Sequence, residues 1–225
     1  MANLKEIRNR ISSVGSTMQI TSAMKMVSAA KLKRAQDAVT QMRPYAGKLR
    51  EILENLSASL DLSENAYAEQ REENKILIIG ITSNRGLCGG FNNNIIKRVG
   101  VLIAEDYAGK DVSVFCVGKK IKDAYKRSDA YFINDALAPV EDIFNQLTFD
   151  NNAIIAAELM HLFVTKEFDK IVVVYNQFVN AATQIVVNEQ FLPLAPIAEG
   201  EAIASDYIFE PSKEEIVLTL IPKSL

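Results

Sequence analysis

The first sixty residues carry apolar side chains at coiled-coil spacing, and this pattern constrains the fold more than any other feature. Stepping alternately by three and four from Leu4 to Leu60, fourteen of seventeen positions are apolar, the sustained 3.5-residue repeat of a supercoiled helix. At 1.5 Å per residue such a helix is about 85 Å long, well beyond the diameter of a domain of this size. The apolar seam therefore has to be covered by other polypeptides. Its members are Leu4, Ile7, Ile11, Val14, Met18, Leu32, Ala35, Val39, Met42, Ala46, Leu49, Leu53, Leu56 and Leu60.

The size of the seam indicates that it is buried in the working protein. At roughly 1.5 to 3 kcal/mol per aliphatic side chain, its burial represents on the order of 20 kcal/mol, which rivals the net stability of a whole domain. The alternative is a helix folded back on its own domain. Pro44 favours that alternative, because a proline inside a helix removes a hydrogen bond and usually kinks or ends the helix. A break there still leaves two helices, each with its own seam.

Charge is divided unevenly along the chain. Residues 1–56 contain ten Lys or Arg against four Asp or Glu, a net charge of +6, whereas the remainder carries −9. A basic rod of this kind could meet nucleic acid, anionic lipid or an acidic protein surface. Few aromatic residues, and cations interleaved with a packing seam, count against nucleic acid, although a nucleic-acid adaptor remains an alternative. For any single lysine, a solvated face is the simplest interpretation.

Composition excludes several other classes. No apolar stretch approaches eighteen residues, so no membrane-spanning helix is expected, and the amino terminus lacks a signal-peptide core. Cys88 and Cys116 lack metal-ligand spacing, which fits a reducing cytoplasm. His161 is the one histidine and lies in a separate predicted helix. We therefore expect no catalytic, cofactor-binding or metal site.

The chain after the rod divides into three predicted segments. Residues 61–74 form a polar linker whose glutamates Glu64, Glu69, Glu72 and Glu73 are expected to be solvated. Residues 75–210 alternate strands and helices, which predicts an α/β domain with a Rossmann-like, mostly parallel sheet covered by helices. Residues 211–225 begin with a capping box at Ser212 and Glu215, which predicts the start of a helix with room for about two and a half turns.

Apolar runs within residues 75–210 give the elements. Strands are predicted at 75–82, 112–117, 170–178 and 184–192, with a short one at 131–133. Helices are predicted at 93–107 and 119–126, and a third is predicted to begin near Pro139 and to extend to Phe163.

The turn at residues 83–92 lies between a predicted strand and a predicted helix, where α/β sheets bind phosphate on helix amides. It lacks the endings of a P-loop and the glycine spacing of a dinucleotide-binding turn, so a tight turn that needs positive φ is the favoured interpretation. A phosphate- or nucleotide-binding protein remains an alternative. Cys88 could be a reactive thiolate near a helix amino terminus, but no motif places His161 beside it.

Two motifs resemble a known family. The run from Arg10 through Met24-Lys25-Met26 to Gln36 is similar to the amino-terminal helix of the gamma subunit of the bacterial type of rotary ATP synthase. A second family hallmark resembles the turn Arg85, Gly86, Leu87, Cys88, Gly89, Gly90, Phe91 and Asn92. The resemblance extends over nearly all 225 residues.

This resemblance implies a non-catalytic central-stalk rotor that couples ion-driven rotation of the membrane c-ring to ATP synthesis. The helix would insert into the hexamer of alpha and beta subunits, and the α/β domain would sit beside epsilon, above the c-ring. It implies no cofactor, no nucleic acid and membrane contact only through the complex, at the cytoplasmic face of the bacterial inner membrane. The turn residues would be structural. Contacts to the catalytic subunits would come from Arg8, Arg10, Met24, Lys25, Met26, Lys31 and Lys33.

Two departures from the family pattern stand out. Asn84 occupies a position where the family usually has Asp, which puts a carboxylate role in that turn in doubt. The family's long carboxy-terminal helix, the antiparallel mate of the first, is absent after Leu225. The expectation is a truncated form or fragment, or a single-helix axle, with weakened torque transmission and assembly. The isolated chain is expected to self-associate or to have a poorly ordered amino terminus.

Overall fold

The computed structural model describes residues 3–57, 65–141, 143–194, 210 and 220–221. Its contacts divide the chain into two compact units, Met1–Ile52 and Leu53–Leu225. None of the described helices is both long enough and apolar enough to cross a membrane.

Helix α1 is continuous over the 54 residues of Leu4–Ser57, a length of about 80 Å. Asn3 precedes it, and its side-chain Oδ1 accepts a hydrogen bond from Lys5 N at 3.2 Å. Pro44 lies inside the helix without ending it. The prediction of one uninterrupted helix is therefore confirmed as far as Ser57, and residues 58–60 lie outside the described residues.

The second unit contains a four-stranded sheet in the order β2-β1-β3-β4. Its strands are β1 (Lys75–Ile81), β2 (Asp111–Val117), β3 (Lys170–Phe178) and β4 (Gln184–Leu192). β1 pairs in parallel with both β2 and β3, whereas β4 is antiparallel to β3. The predicted mostly parallel sheet is confirmed. Because β1 is central and covered on both faces, it is apolar at nearly every position.

Helices cover both faces of this sheet. α2 (Phe91–Val101, continued by a π-helical turn over Leu102–Asp106) and α3 (Lys119–Tyr125) pack on one face, and α4 (Phe149–Val164) packs on the other. Side chains of β1 alternate accordingly, with Ile76 and Ile78 facing α2 and α3, and Leu77 facing α4. A β-carbon at Gly80 would collide with the Ile121 side chain, so glycine lets α3 approach the strand.

Two local predictions were wrong. Tyr131 forms a single bridge with Val114 instead of a strand over 131–133. The helix predicted to begin near Pro139 is replaced by 3₁₀ turns at Asp135–Glu141 and Ile143–Asn145. The apolar spacing misled because Ile143, Phe144 and Leu147 continue a helical pattern although none of them is buried. α4 begins only at Phe149, after its N-cap Thr148.

The predicted polar linker is also different from expectation in its described part, residues 65–74. Glu69 and Glu73 are not simply solvated charges, because Glu69 pairs with Arg71 and Lys166, and Glu73 pairs with Lys110 and Lys170. Glu72 is exposed, as predicted, and Glu64 lies outside the described residues. Sequence reasoning missed these pairs because each cation except Arg71 is at least 37 positions away along the chain.

The predicted helix at 211–225 falls largely outside the described residues. Of this range only residues 220 and 221 are described, and both are helical. Ile221 is buried.

Candidate functional site: the exposed helix α1 and the turn after β1

The apolar seam of α1 is exposed in this chain. Leu4 is 73% exposed, Met18 67% and Met42 65%, although burial of such side chains is favourable by roughly 1.5 to 3 kcal/mol each. Leu49 is the described seam residue that is buried. An exposed stripe of this extent marks an interaction surface. The large apolar residues exposed on α1 are Leu4, Ile7, Ile11, Val14, Met18, Ile20, Met24, Met26, Val27, Leu32, Val39, Met42 and Tyr45.

The predicted contact residues are all exposed on α1: Arg8, Arg10, Met24, Lys25, Met26, Lys31 and Lys33. They are spread from Arg8 to Lys33, about 37 Å of helix, so they form no common pocket. Lys33 is engaged locally, since its Nζ lies 2.8 Å from Asp37 Oδ1 one turn later. A partner that used all of them would have to be elongated, or several subunits would have to share them.

Four hydroxyl side chains on α1 donate hydrogen bonds within the helix. Ser16 Oγ donates to Ser12 O at 3.1 Å, and Thr17 Oγ1 donates to Ser13 O at 2.9 Å. Thr21 Oγ1 and Thr40 Oγ1 donate in the same way to the carbonyls four residues earlier, at 2.7 and 2.8 Å. These bonds use up the donor protons that the hydroxyls would otherwise offer to a neighbouring surface.

The turn after β1 caps helix α3. Asn84 Oδ1 accepts from Lys119 N at 2.9 Å, Ser83 O accepts from Lys120 N at 3.4 Å and Thr82 Oγ1 accepts from Ile121 N at 3.1 Å. Three consecutive turn residues thus satisfy the first three amides of α3, which have no partner within the helix. These amides are not available to hold a phosphate.

Asn92 holds the turn together. This buried side chain accepts from Ser83 N at 2.9 Å through Oδ1. Its Nδ2 donates to Arg85 O at 3.0 Å and lies 3.1 Å from Cys88 Sγ. The carboxamide therefore spends its hydrogen bonds inside the loop, which agrees with a structural role for this family-motif residue.

The tip of the turn is exposed from Arg85 to Gly90. Leu87 has φ 60° and Gly89 has φ 59°, a left-handed conformation that side-chain-bearing residues adopt at a cost. Gly86, by contrast, lies against the Lys120 side chain. The predicted need for positive φ is confirmed at Gly89, and the structure adds Leu87, a fully exposed residue of the same motif for which positive φ was not predicted.

The two cysteines are in different environments. Cys88 is exposed in the turn, whereas Cys116 is buried in β2. Burial raises the pKa of the Cys116 thiol to about 12, against a weak opposing effect of Lys122. His161 is exposed on α4, a different element from the turn that carries Cys88. Among the residues that the structure describes, no three His, Cys, Asp or Glu side chains are grouped to hold a metal ion.

An apolar cleft of about 340 Å³ lies between the sheet and α4. Ile81, Val117, Phe149 and Phe191 contribute to its lining, and Asn152 is the polar member of that lining. Such a lining can bind apolar groups, but it supplies no acid, base or nucleophile for a reaction.

Comparison with known proteins decides the family. A family model described as ATP synthase matches residues 3–225. The chain is 62% identical to the ATP synthase gamma chain of Flavobacterium psychrophilum, with 100% of this chain and 77% of that protein covered. The chain belongs to the ATP synthase gamma chain family. The gamma chain of Flavobacterium johnsoniae is 61% identical and that of Chlorobaculum parvum 44%, covered to 77% and 78% of their lengths.

Two solved structures have a fold similar to that of this chain. The central stalk and c-ring of the Tetrahymena thermophila mitochondrial ATP synthase gives a TM-score of 0.59 at 24% identity, covering 91% of this chain and 87% of that chain. The rotor of the Euglena gracilis mitochondrial ATP synthase gives 0.55 at 22% identity, covering 96% and 79%. At these identities the likeness supports the fold alone.

Proposed function

We propose that this gamma-family chain is the central-stalk rotor of a bacterial ATP synthase, a non-catalytic subunit that couples ion-driven rotation of the c-ring to ATP synthesis. The observation that carries the proposal is the exposed apolar seam of the continuous helix α1, from Leu4 to Met42. A helix of this length and exposure suits an axle inside a ring of subunits. The close relatives named ATP synthase gamma chain support it.

The proposed partners follow from the charge and the family. The alpha and beta subunits would surround the basic helix α1, and the epsilon subunit and the c-ring would contact the α/β unit. Membrane contact would occur only through the complex, so the chain would be peripheral at the cytoplasmic face of the inner membrane. We propose no cofactor and no nucleic-acid partner.

The proposed contact residues suit a contact that has to change during rotation. Surface ion pairs contribute about 0 to 1 kcal/mol each, so Arg8, Arg10, Lys25, Lys31 and Lys33 can exchange acidic partners without a large barrier. Thioethers adapt to irregular surfaces, which suits Met24 and Met26. An asymmetric axle would favour a different state in each of three identical catalytic sites by contacting each one differently.

Co-expression with alpha, beta and epsilon subunits from the same bacterium tests the proposal. The chain is expected to co-purify with the hexamer, and a bead attached to it is expected to rotate when ATP is added. Lys25→Glu with Lys31→Glu should weaken ATP-driven rotation, whereas Lys97→Glu, on the exposed side of α2, should not. Purified hexamers that do not contain this chain, although it was co-expressed with them, would contradict the proposal.

A further inference from the structure

Residues 65–74 lead from the end of α1 and the intervening residues 58–64 into β1. This segment, which we call the tether, contacts other parts of the unit that contains the sheet (Leu53–Leu225, the sheet unit) along its length. Tyr67 packs against the core cluster beside α4, and its carbonyl accepts a hydrogen bond from Leu194 N at 2.8 Å. Gln70 Nε2 donates to Leu194 O at 3.2 Å. The tether is therefore part of the packed structure and not a free linker.

Arg71 joins the tether to α4 through its guanidinium group. Its Nη1 donates to Phe163 O at 2.7 Å, and its Nη2 lies 2.5 Å from Glu69 Oε2. The guanidinium also lies 4.4 Å from the centre of the Phe163 ring. Lys166 adds an ion pair to Glu69 at 3.2 Å. These contacts fix the tether to the carboxyl end of α4, where cations are favourable.

A second set of contacts lies two residues after Arg71, at the edge where the strands begin. Glu73 pairs with Lys170 at 2.7 Å and with Lys110 at 3.3 Å. Asp169 Oδ2 accepts from the amides of Asn74 and Lys75 at 3.1 and 2.8 Å. The tether is thus joined to α4, to β3 and to the residue before β2.

Packing alone does not account for Arg71. Its side chain is only 10% exposed, and Nε is buried without a hydrogen-bond partner, which is unfavourable. Apolar residues of similar volume are often as stabilising as buried charges. The guanidinium therefore contributes what an apolar side chain could not, which is a directional bond to α4 and to Glu69.

We propose that the tether carries torque along the chain between α1 and the sheet, with Arg71 as its main positioning residue. This inference rests on the proposed rotor function. Ten unfastened residues can extend to about 35 Å, so a loose segment would take up rotation as slack before it pulled on the sheet. A tether held to the sheet by these contacts cannot itself supply such slack.

The test uses the assembled enzyme in inverted membrane vesicles. ATP hydrolysis and ATP-driven proton pumping are measured together for the parent, Arg71→Met, Arg71→Lys and Lys170→Met. Asp123→Asn is the matched control, because it removes the ion pair that Asp123 of α3 forms with Lys126. We expect Arg71→Met to hydrolyse ATP while losing proton pumping per ATP, Arg71→Lys and Lys170→Met to lose less, and Asp123→Asn to lose none.

A merely structural Arg71 would change the amount of assembled enzyme but leave pumping per ATP at the parental value, and that result would overturn the proposal. If Arg71→Met fails to assemble, the number of protons pumped per ATP in Lys170→Met tests the proposal instead. A parental value in that variant would overturn it. Hydrogen exchange in the same complexes should show tether amides exchanging roughly tenfold faster in Arg71→Met. Failure of the rotor function itself would appear separately, as ATP-driven proton pumping by complexes that lack this chain.

Discussion

Asn84 Oδ1 accepts the hydrogen bond of Lys119 N, the first amide of α3, at 2.9 Å. The family resemblance leads one to expect Asp at this position, and the bond explains why an amide serves there. The amide oxygen of Asn and a carboxylate oxygen of Asp can both accept a hydrogen bond from a helix amide, and both residues are favourable at helix caps. The cap therefore needs an oxygen and not a charge.

Asn84→Asp should accordingly keep the stability of the sheet unit, because the acceptor is retained and a negative charge is favourable near a helix amino terminus. Asn84→Ala should lower the free energy of unfolding by about 1 kcal/mol. Urea unfolding followed by circular dichroism measures both changes. Asn93→Ala, an exposed neighbour on α2, is the control, and an equal loss in Asn93→Ala would argue against the cap.

Gly118→Ala should destabilise the sheet unit by about 3 kcal/mol. Gly118 has φ 105°, and a β-carbon there would collide with the Thr82 carbonyl, which belongs to the segment that caps α3. Gly100→Ala is the contrasting variant, because its β-carbon would meet only the Tyr125 hydroxyl at 3.8 Å. Inside α2 it should stabilise by about 0.5 to 1 kcal/mol. In thermal unfolding, we expect the midpoint temperature to fall in Gly118→Ala and to rise in Gly100→Ala.

Hydrogen-exchange protection of the tether amides should depend on pH. Hydrogen bonds from Arg71 and Lys170 lower the pKa of Glu69 and of Glu73, respectively, below the ordinary 4.5. Both ion pairs are therefore intact above pH 4.5, and their contribution is lost as the pH falls through the lowered values. Protection factors of tether amides should drop in that window while those of β1 persist.

Glu73→Gln supplies the control for that titration. It removes one of the two carboxylates, so part of the acid-dependent loss should already be present at neutral pH. A tether whose protection does not change when both carboxyl groups become protonated would contradict the assignment of these ion pairs.

The two thiols should differ sharply toward alkylation. At pH 8, iodoacetamide is expected to modify the exposed Cys88 and to leave Cys116 intact, because burial raises the pKa of Cys116 to about 12 and blocks access. Intact-mass measurement should show one adduct on the folded chain and two in urea. Rapid double labelling without denaturant would mean that β2 opens readily.

The isolated chain should self-associate through α1. Ile11 and Met18 are both 67% exposed, and covering each is favourable by roughly 1.5 to 3 kcal/mol. Sedimentation velocity should show oligomers that dissociate in the Ile11→Asp, Met18→Asp double variant. Glu6→Gln changes an exposed charge nearby and should not shift the distribution. A monodisperse parental chain with full helical content would refute this expectation.

Sequence patterns located the strands well because each is a local run of β-branched and apolar residues. β3 and β4 have the predicted bounds at Lys170–Phe178 and Gln184–Leu192, and β1 differs by one residue at its end. Helix α1 was equally visible, because its repeat continues for more than seven heptads. Local periodicity also caused the error near Pro139, since Ile143, Phe144 and Leu147 imitate a helical pattern although Ile143–Asn145 is a 3₁₀ turn.

Long-range polar contacts could not be predicted in the same way. Arg71 meets Phe163 across 92 positions, and Glu73 meets Lys170 across 97. Nothing near either residue in the sequence indicates its partner, because the fold alone brings them together. The same is true of Thr82, whose hydroxyl meets Ile121 N only after β1 and α3 have packed.

The hydroxyls of Ser16, Thr17, Thr21 and Thr40 have a consequence for any ring that encloses α1. Each proton is already donated to a carbonyl of the same helix, so these side chains can accept a hydrogen bond from a neighbouring surface but cannot donate one. A hydrogen bond donated to the ring would have to break and re-form as the helix turned, and these four hydroxyls have no free proton with which to form one. We therefore expect these four positions to contribute little to any preferred rotational angle of the enclosed helix.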